Sequence, residues 1–355
     1  MMKAWVLDSI GDINLKDVDK PVLTKGMALV KVGAAGICGS DIPRIYRDGA
    51  HNMPLIPGHE FSGTVEAVYD EHFKNWINKR VGVFPLIPCG ECDPCINKKY
   101  EMCRHYNYLG SRCNGGFAEY VAVPVANLIE LPDNVSLEEA AMLEPLAVAM
   151  HAIRQFINND IDVIDKSFVI CGLGTIGLML LMLLLGKVED KRNIYVIGSK
   201  ESQRNMAISL GILEDHYVNG KERDVLLWAQ SVFGESGPDY YFECVGTNKT
   251  IADGINMVKP GGCIQLVGNP ASDMELDKNT YWKILRNQLT IKGTWNSSFT
   301  REIDDDWHNV INLLSEGKLP TRKLITGEYD IEHFSEGLEL MRDKTSDYIK
   351  LILKP

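Results

Sequence analysis

The chain has 355 residues, 45% hydrophobic and 24% charged, which is ordinary for a globular protein with room for about two domains. Its formal net charge of -11 argues against a partner gripped through nucleic-acid phosphates. The longest apolar run, Ile176–Leu185, is too short to span a bilayer, and no secretory leader pattern opens the chain. Nine cysteines in that context predict a reducing, cytoplasmic setting, where thiols bind metals or fill cores.

The first third reads as β-rich. Met1–Val6, Met27–Val32, Gly63–Val68 and Gly115–Val123 are strand candidates set between Gly and Pro signals. From about Lys166 the texture changes to apolar strand runs alternating with helical segments, the mark of βαβ units and a parallel sheet. Strands are predicted at Phe168–Cys171, Ile194–Ile197, Tyr240–Cys244, Cys263–Val267 and Leu289–Trp295, with a helix near Tyr281–Asn287. Helices near Trp307–Glu316 and Ile331–Arg342 and a strand at Tyr348–Leu353 close the chain. The expected fold class is α/β. A doubly wound, parallel-sheet nucleotide domain at 151–289 is inserted in a split, β-rich domain made of 1–150 and 290–355. Cys171, Cys244 and Cys263 lie in apolar runs and read as small buried residues.

Cys89, Cys92, Cys95 and Cys103 follow the spacing C-x2-C-x2-C-x7-C. Short spacings let one loop supply several thiolates to a tetrahedral zinc, and Pro88, Gly90 and Pro94 suit the turns this requires. Four thiolates fill the coordination sphere, so such a zinc is structural. A pair of disulfides is the alternative, disfavoured because a chain this long buries a core without staples.

Gly172-Leu-Gly174-Thr175-Ile176-Gly177 is G-x-G-x-x-G, placed directly after a predicted strand and opening a predicted helix, as a dinucleotide site requires. A glycine turn with no ligand is the plainer reading. At the end of the next strand the chain has Gly198-Ser199-Lys200, with Arg204 one turn on and no carboxylate at the tip. An acid there would bind a ribose 2′-hydroxyl, whereas a hydroxyl and two cations suit a 2′-phosphate. NADP(H) is therefore expected over NAD(H), with Glu201 the residue that argues the other way. Val245 and Gly268, after two later strands, complete the expected cofactor set.

Cys38-Gly39-Ser40-Asp41 and Gly58-His59-Glu60 offer a thiolate, an imidazole and a carboxylate, a donor set suited to zinc. Each alone is more often structural. Taken with the cysteine loop, Pro57–Gly63, Gly116-Phe117-Ala118-Glu119-Tyr120 and the glycine fingerprint, they resemble the medium-chain zinc-dependent alcohol and polyol dehydrogenases over essentially the whole chain. The resemblance implies a GroES-like outer domain around a Rossmann domain, two zinc ions per chain, and a homodimer or homotetramer. It implies catalytic-zinc ligands at Cys38, His59 and Glu144, the last in Met142-Leu-Glu-Pro-Leu146 and matching the polyol, sorbitol-dehydrogenase-like branch. Glu60 would lie beside the zinc and exchange onto it. Ser40 would relay the proton. Pro43 stands where alcohol dehydrogenases continue that relay with a histidine, which leaves His51 and Glu60 as candidates.

Pro43–His51, Leu109–Arg112 and Gly293–Ser298 are most similar to galactitol-1-phosphate 5-dehydrogenases, which implies a polyol phosphate as substrate. Arg44 and Arg112 are then candidates for the phosphate and Trp295 for a wall of the site, with Arg47 more simply a surface charge. The central region is also similar to NADP(H)-dependent ribitol-5-phosphate dehydrogenases. A non-phosphorylated, sorbitol-like polyol is a further alternative. From another class, a non-catalytic NADPH- and zinc-binding protein would show a damaged ligand set, and Cys38, Ser40, His59 and Glu144 are all present.

Overall fold

A computed structural model describes residues 1–157, 163–270 and 272–355. The chain forms two compact units, Met1–Ala147 with Ser297–Pro355, and Val148–Asn296. The first unit is built on a seven-stranded sheet. Its order is Ile325–Asp330, Lys350–Lys354, Met27–Gly36, Glu60–Val68, Arg80–Val83 and Leu128–Glu130, and Tyr120–Pro124 pairs alongside Met27–Gly36. Alternating small and β-branched residues let Met27–Gly36 sit at the centre, and Phe61, Phe117 and Phe334 fill the core beside it. Burying such side chains contributes about 1.5–3 kcal/mol each.

Two local features depart from the sequence reading. Asp12–Val18 is a strand, paired antiparallel with Met2–Ser9. It is rich in charge and largely exposed, so it lacks the apolar signal of a core strand. Of Gly115–Val123 only Tyr120 onward is strand. The N–H groups of Gly115, Gly116 and Phe117 instead donate to the carbonyls of Ile56, Gly58 and Pro57, at 2.8, 2.7 and 3.0 Å. The glycines serve close approach: a Cβ on Gly116 would stand 2.6 Å from the Phe61 ring.

The second unit carries a six-stranded sheet among its described residues, every pairing parallel. The order is Tyr217–Asn219, Ile194–Gly198, Phe168–Cys171, Tyr240–Glu243, Cys263–Leu266 and Thr290–Gly293. That is the doubly wound order of a dinucleotide domain, whose chain reversal lies beside the first strand. Helix Thr175–Lys187 is buried continuously from Gly177 to Leu184, which explains why its sequence is apolar all round. Among the described residues no helix is long and apolar enough to cross a membrane.

Candidate metal and nucleotide sites

The cysteine loop holds four thiols at metal-binding separation. Helix Asp93–Ile96 and the turn at Tyr100–Met102 fold it back on itself, and all four sulfurs lie within 4.8 Å of one another. Cys89 and Cys95 are 3.9 Å apart, as are Cys92 and Cys103. Zinc–sulfur bonds of about 2.3 Å in a tetrahedron separate sulfurs by about 3.8 Å. A disulfide needs about 2.05 Å, and all nine cysteines are free, so the disulfide alternative falls. The backbone N–H groups of Arg104 and Cys95 draw the Cys92 thiol down to about 6. Burial pushes Cys95 up to about 12. A dication resolves that conflict by stabilising thiolates at both positions.

The second cluster is assembled from strand ends. Cys38 follows strand Met27–Gly36, and His59 immediately precedes Glu60–Val68. Gly58 has φ +93°, and a Cβ on Gly110 would stand 2.3 Å from its carbonyl oxygen, so the backbone entering His59 is closely confined. The ligand atoms of Cys38, His59 and Glu60 lie within 4.8 Å of one another. Ser40 Oγ donates to Cys38 Sγ at 3.3 Å. Glu144 enters from the first turn of helix Leu143–Arg154, where the helix dipole favours a carboxylate and Pro145 is tolerated. It accepts a hydrogen bond from Tyr108 Oη at 3.1 Å.

Asp41 is fully buried and anchors this cluster. It accepts from the Cys38 N–H at 3.0 Å and pairs with Arg44 at 2.6 Å. His59 Nδ1 stands 3.3 Å from Asp41 Oδ1, out of line for a hydrogen bond, so this buried nitrogen makes none. Burial would push His59 down, but Asp41 and Cys38 outweigh it and hold the imidazole well above its usual range. Burial drives Glu144 up to about 7, with Glu60 adding to the push and His59 opposing it. Crowded anionic donors fit a bound cation, and the thiolate–imidazole–carboxylate set of Cys38, His59 and Glu60 fits zinc.

The remaining predicted residues sort by their partners. Arg44 is tied to Asp41. Arg47 is exposed and paired with Asp48. Arg112 lies over the Tyr106 ring at 4.4 Å, and Tyr106 meets Tyr108 edge-on at 6.1 Å, which puts this cation two rings from Glu144. His51 is exposed, and Trp295 is 60% exposed. Tyr108 and Lys350 are the site neighbours that sequence reading missed. Lys350 is buried, with its ammonium on Glu60.

In the second unit the glycine fingerprint sits at the C-terminal end of Phe168–Cys171. Gly172 has φ +95°, and a Cβ on Gly177 would meet the Gly172 carbonyl oxygen at 1.8 Å, whereas a Cβ on Gly174 meets nothing within 4 Å. Gly174 caps the helix that Thr175 and Ile176 open, without a side-chain hydrogen bond, which suits an approaching pyrophosphate. Glu243 accepts from the Val245 and Gly246 N–H groups at 2.8 and 2.9 Å. Gly268 packs on that turn, its Cβ position 2.3 Å from the Gly246 nitrogen. At the second strand tip the Ser199 N–H donates to Gln203 at 2.9 Å. Arg204 spans Glu201 and Glu214, at 3.1 and 3.5 Å. Lys200 is exposed.

The alcohol dehydrogenase GroES-like domain matches residues 24–133, and the zinc-binding dehydrogenase domain matches residues 175–316. The chain is a zinc-dependent medium-chain dehydrogenase. It is 31% identical over 339 residues to the galactitol 1-phosphate 5-dehydrogenase of Escherichia coli (strain K12), covering 95% of each chain. The crystal structure of galactitol-1-phosphate dehydrogenase from Escherichia coli superposes with a TM-score of 0.89 at 30% identity, covering 100% of both chains. A zinc-binding dehydrogenase from Sinorhizobium meliloti 1021, bound to NADP, gives 0.86 at 25% identity, covering 100% of this chain and 99% of its own. The dehydrogenase is thus an alcohol/polyol oxidoreductase of the zinc- and nicotinamide-dependent kind, with the expected α/β fold.

Proposed function

We propose that this dehydrogenase interconverts a secondary alcohol and a ketone on a polyol phosphate of the galactitol 1-phosphate kind, with NADP(H) preferred. The carrying observation is the cluster of Cys38, His59 and Glu60, whose ligand atoms lie within 4.8 Å of one another, with Ser40 on the Cys38 sulfur and buried Glu144 in electrostatic reach of His59 and Glu60. Cys38, His59 and Glu144 would hold the catalytic zinc, and Cys89, Cys92, Cys95 and Cys103 a second, structural one. When bound, zinc supplies a Lewis acid that lowers the pKa of an alcohol, and the nicotinamide supplies the hydride acceptor or donor. Ser40 would relay the hydroxyl proton, its Oγ receiving it as its own hydroxyl hydrogen passes on toward the cofactor ribose. Asp41 orients His59 from behind. The Gly172–Gly177 turn accommodates the pyrophosphate.

Arg112 supports a phosphorylated substrate, because the Tyr106–Tyr108 rings connect it to Glu144; Arg44 is occupied by Asp41. Ser199 in place of an acid, with exposed Lys200 beside it, supports NADP(H), and so does the NADP held by the Sinorhizobium relative. Arg204 contributes less, since a 2′-phosphate must compete with two carboxylates for it. A ribitol 5-phosphate-like substrate is the second reading, favoured by the same strand tip. Two identical subunits or four are proposed for the assembly.

A screen of polyols and polyol phosphates against both cofactors tests this. Turnover of phosphorylated polyols with NADP is expected. Turnover of free polyols alone removes the role of Arg112, and a strong NAD preference removes that of Ser199. Ser199→Asp is expected to lower kcat/KM for NADP by roughly 100-fold, since facing like charges costs several kcal/mol, and to leave NAD turnover little changed.

A further inference from the structure

Two stretches far apart in the chain are stitched together beside Tyr108, the neighbour of Glu144. The Asn52 side chain donates to the Arg112 carbonyl at 2.8 Å, and the Ile56 N–H donates to Asn114 Oδ1 at 3.0 Å. Within its own turn Arg112 is fixed again. The N–H groups of Ser111, Arg112 and Cys113 converge on the Tyr108 carbonyl, at 3.3, 2.9 and 3.2 Å. Beyond this braced backbone the guanidinium lies over the Tyr106 ring, 4.4 Å from its centroid.

Arg112 differs from the other arginines considered for a phosphate in what it lacks. Arg44 is tied to buried Asp41, and Arg47 to Asp48. Among the described residues no carboxylate pairs with Arg112, in a chain whose 48 acidic residues outnumber its 37 basic ones. The Tyr106 ring covers one face of the guanidinium and leaves its N–H edge open to a ligand. A side chain held at its backbone and at its face has lost freedom before the ligand arrives, so binding costs less. The planar fork matches two oxygens of a phosphate.

Resting on the reading that the substrate is a polyol phosphate, we propose that Tyr106 and Asn52 are positioning residues: they hold Arg112, by its guanidinium and by its carbonyl, where it receives the substrate's phosphate, and so set the preference for phosphorylated over free polyols. The Tyr106 ring meets Tyr108 edge-on at 6.1 Å, and Tyr108 donates to Glu144. One connected row of side chains thus reaches from the phosphate-reading arginine to the ligand cluster.

The test is the ratio of kcat/KM for galactitol 1-phosphate to that for galactitol, measured on the full-length holoenzyme. R112M, which keeps the length of the side chain and loses its charge, is expected to lower the ratio by ~100-fold, as truncating one partner of a charge pair does. Y106L is expected to lower it by ~10-fold and N52L by ~5-fold, the sizes of a cation–ring contact and of one hydrogen bond. Both losses should come mainly through a higher KM for the phosphorylated substrate. Y106F, which keeps the ring face, is expected to keep the ratio. Placed in the R112M background, Y106L and N52L should lower the ratio no further, because they act only through that guanidinium. Y106L and N52L variants with the wild-type ratio overturn the proposal, and so do losses that persist undiminished in R112M or a loss in Y106F equal to that in Y106L. Should Y106L not fold, N52L decides it, since Asn52 is exposed. If the unaltered enzyme shows no preference for galactitol 1-phosphate, the phosphorylated-substrate reading itself fails, a result distinct from a preference that survives Y106L and N52L.

Discussion

The two ligand clusters of the first unit are built in opposite ways. In the cysteine loop all four donors come from one short segment, Cys89 to Cys103, and all are thiols. In the other cluster Cys38 at a strand end and His59 and Glu60 at the start of the next strand bring together donors of three kinds, and Glu144 enters from a helix first turn. The loop needs little more than its own turns to close. The mixed site depends on the sheet, and on neighbours that settle how each donor is held: Asp41 at His59, Tyr108 at Glu144, Lys350 at Glu60. A four-thiolate site is complete and only braces. Three mixed protein donors leave a position for substrate, and that position makes chemistry possible.

The sharpest way to break this contrast is to remove one ligand from each cluster. Cys38→Ser is expected to lower kcat by on the order of 10³-fold or more, as losing Lewis-acid stabilisation of several kcal/mol requires, with the melting temperature little changed. Zinc analysis should find one equivalent left per chain. Appreciable turnover in this variant would show that the mixed site is not the working one. Cys95→Ser should do the reverse. It breaks the structural site, and a loss of about 3 kcal/mol lowers Tm by roughly 6–12 °C. The molecules that remain folded should keep most of their kcat. If Cys95→Ser abolished turnover in folded protein, the division between bracing and working zinc would be wrong.

The same contrast explains what the sequence made legible. The cysteine loop is local, so spacing alone revealed it. The parallel sheet was legible because each strand run is followed by a glycine or a helix start, as at Cys171-Gly172. No periodicity connects Cys38, His59 and Glu144, so their joint role as ligands was expected only from a resemblance of short motifs, and the structure brings Glu60 together with Cys38 and His59. Lys350 was missed for a physical reason. In Tyr348–Leu353 it reads as a strand lysine pointing to solvent, and only the pairing of three strands over Gly36 brings it to Glu60. Tyr108 was missed because its two-residue strand, Asn107–Tyr108, is too short to carry a pattern. Gly115 to Phe117 misled in the other direction, since glycines that permit close approach to Pro57–Gly58 were read as the start of a strand.

The smallest effect is also the most discriminating. Tyr108 is no ligand, yet its hydroxyl is the one hydrogen-bond donor to Glu144 among the described residues. Tyr108→Phe keeps the ring and its edge-on contact with His59, whose centroid lies 5.9 Å away, and removes only that donor. A partner holding a ligating carboxylate is worth about 10-fold in metal affinity, the lower end for such neighbours. Zinc should therefore leave the mixed site about 10-fold more readily in chelator competition. The cysteine loop, which makes no use of Tyr108, should hold its ion unchanged. An equal loss from both sites would mean that the phenylalanine had loosened the whole unit. No loss from either would mean that the backbone and helix start already hold Glu144 in place and the tyrosine is mere packing.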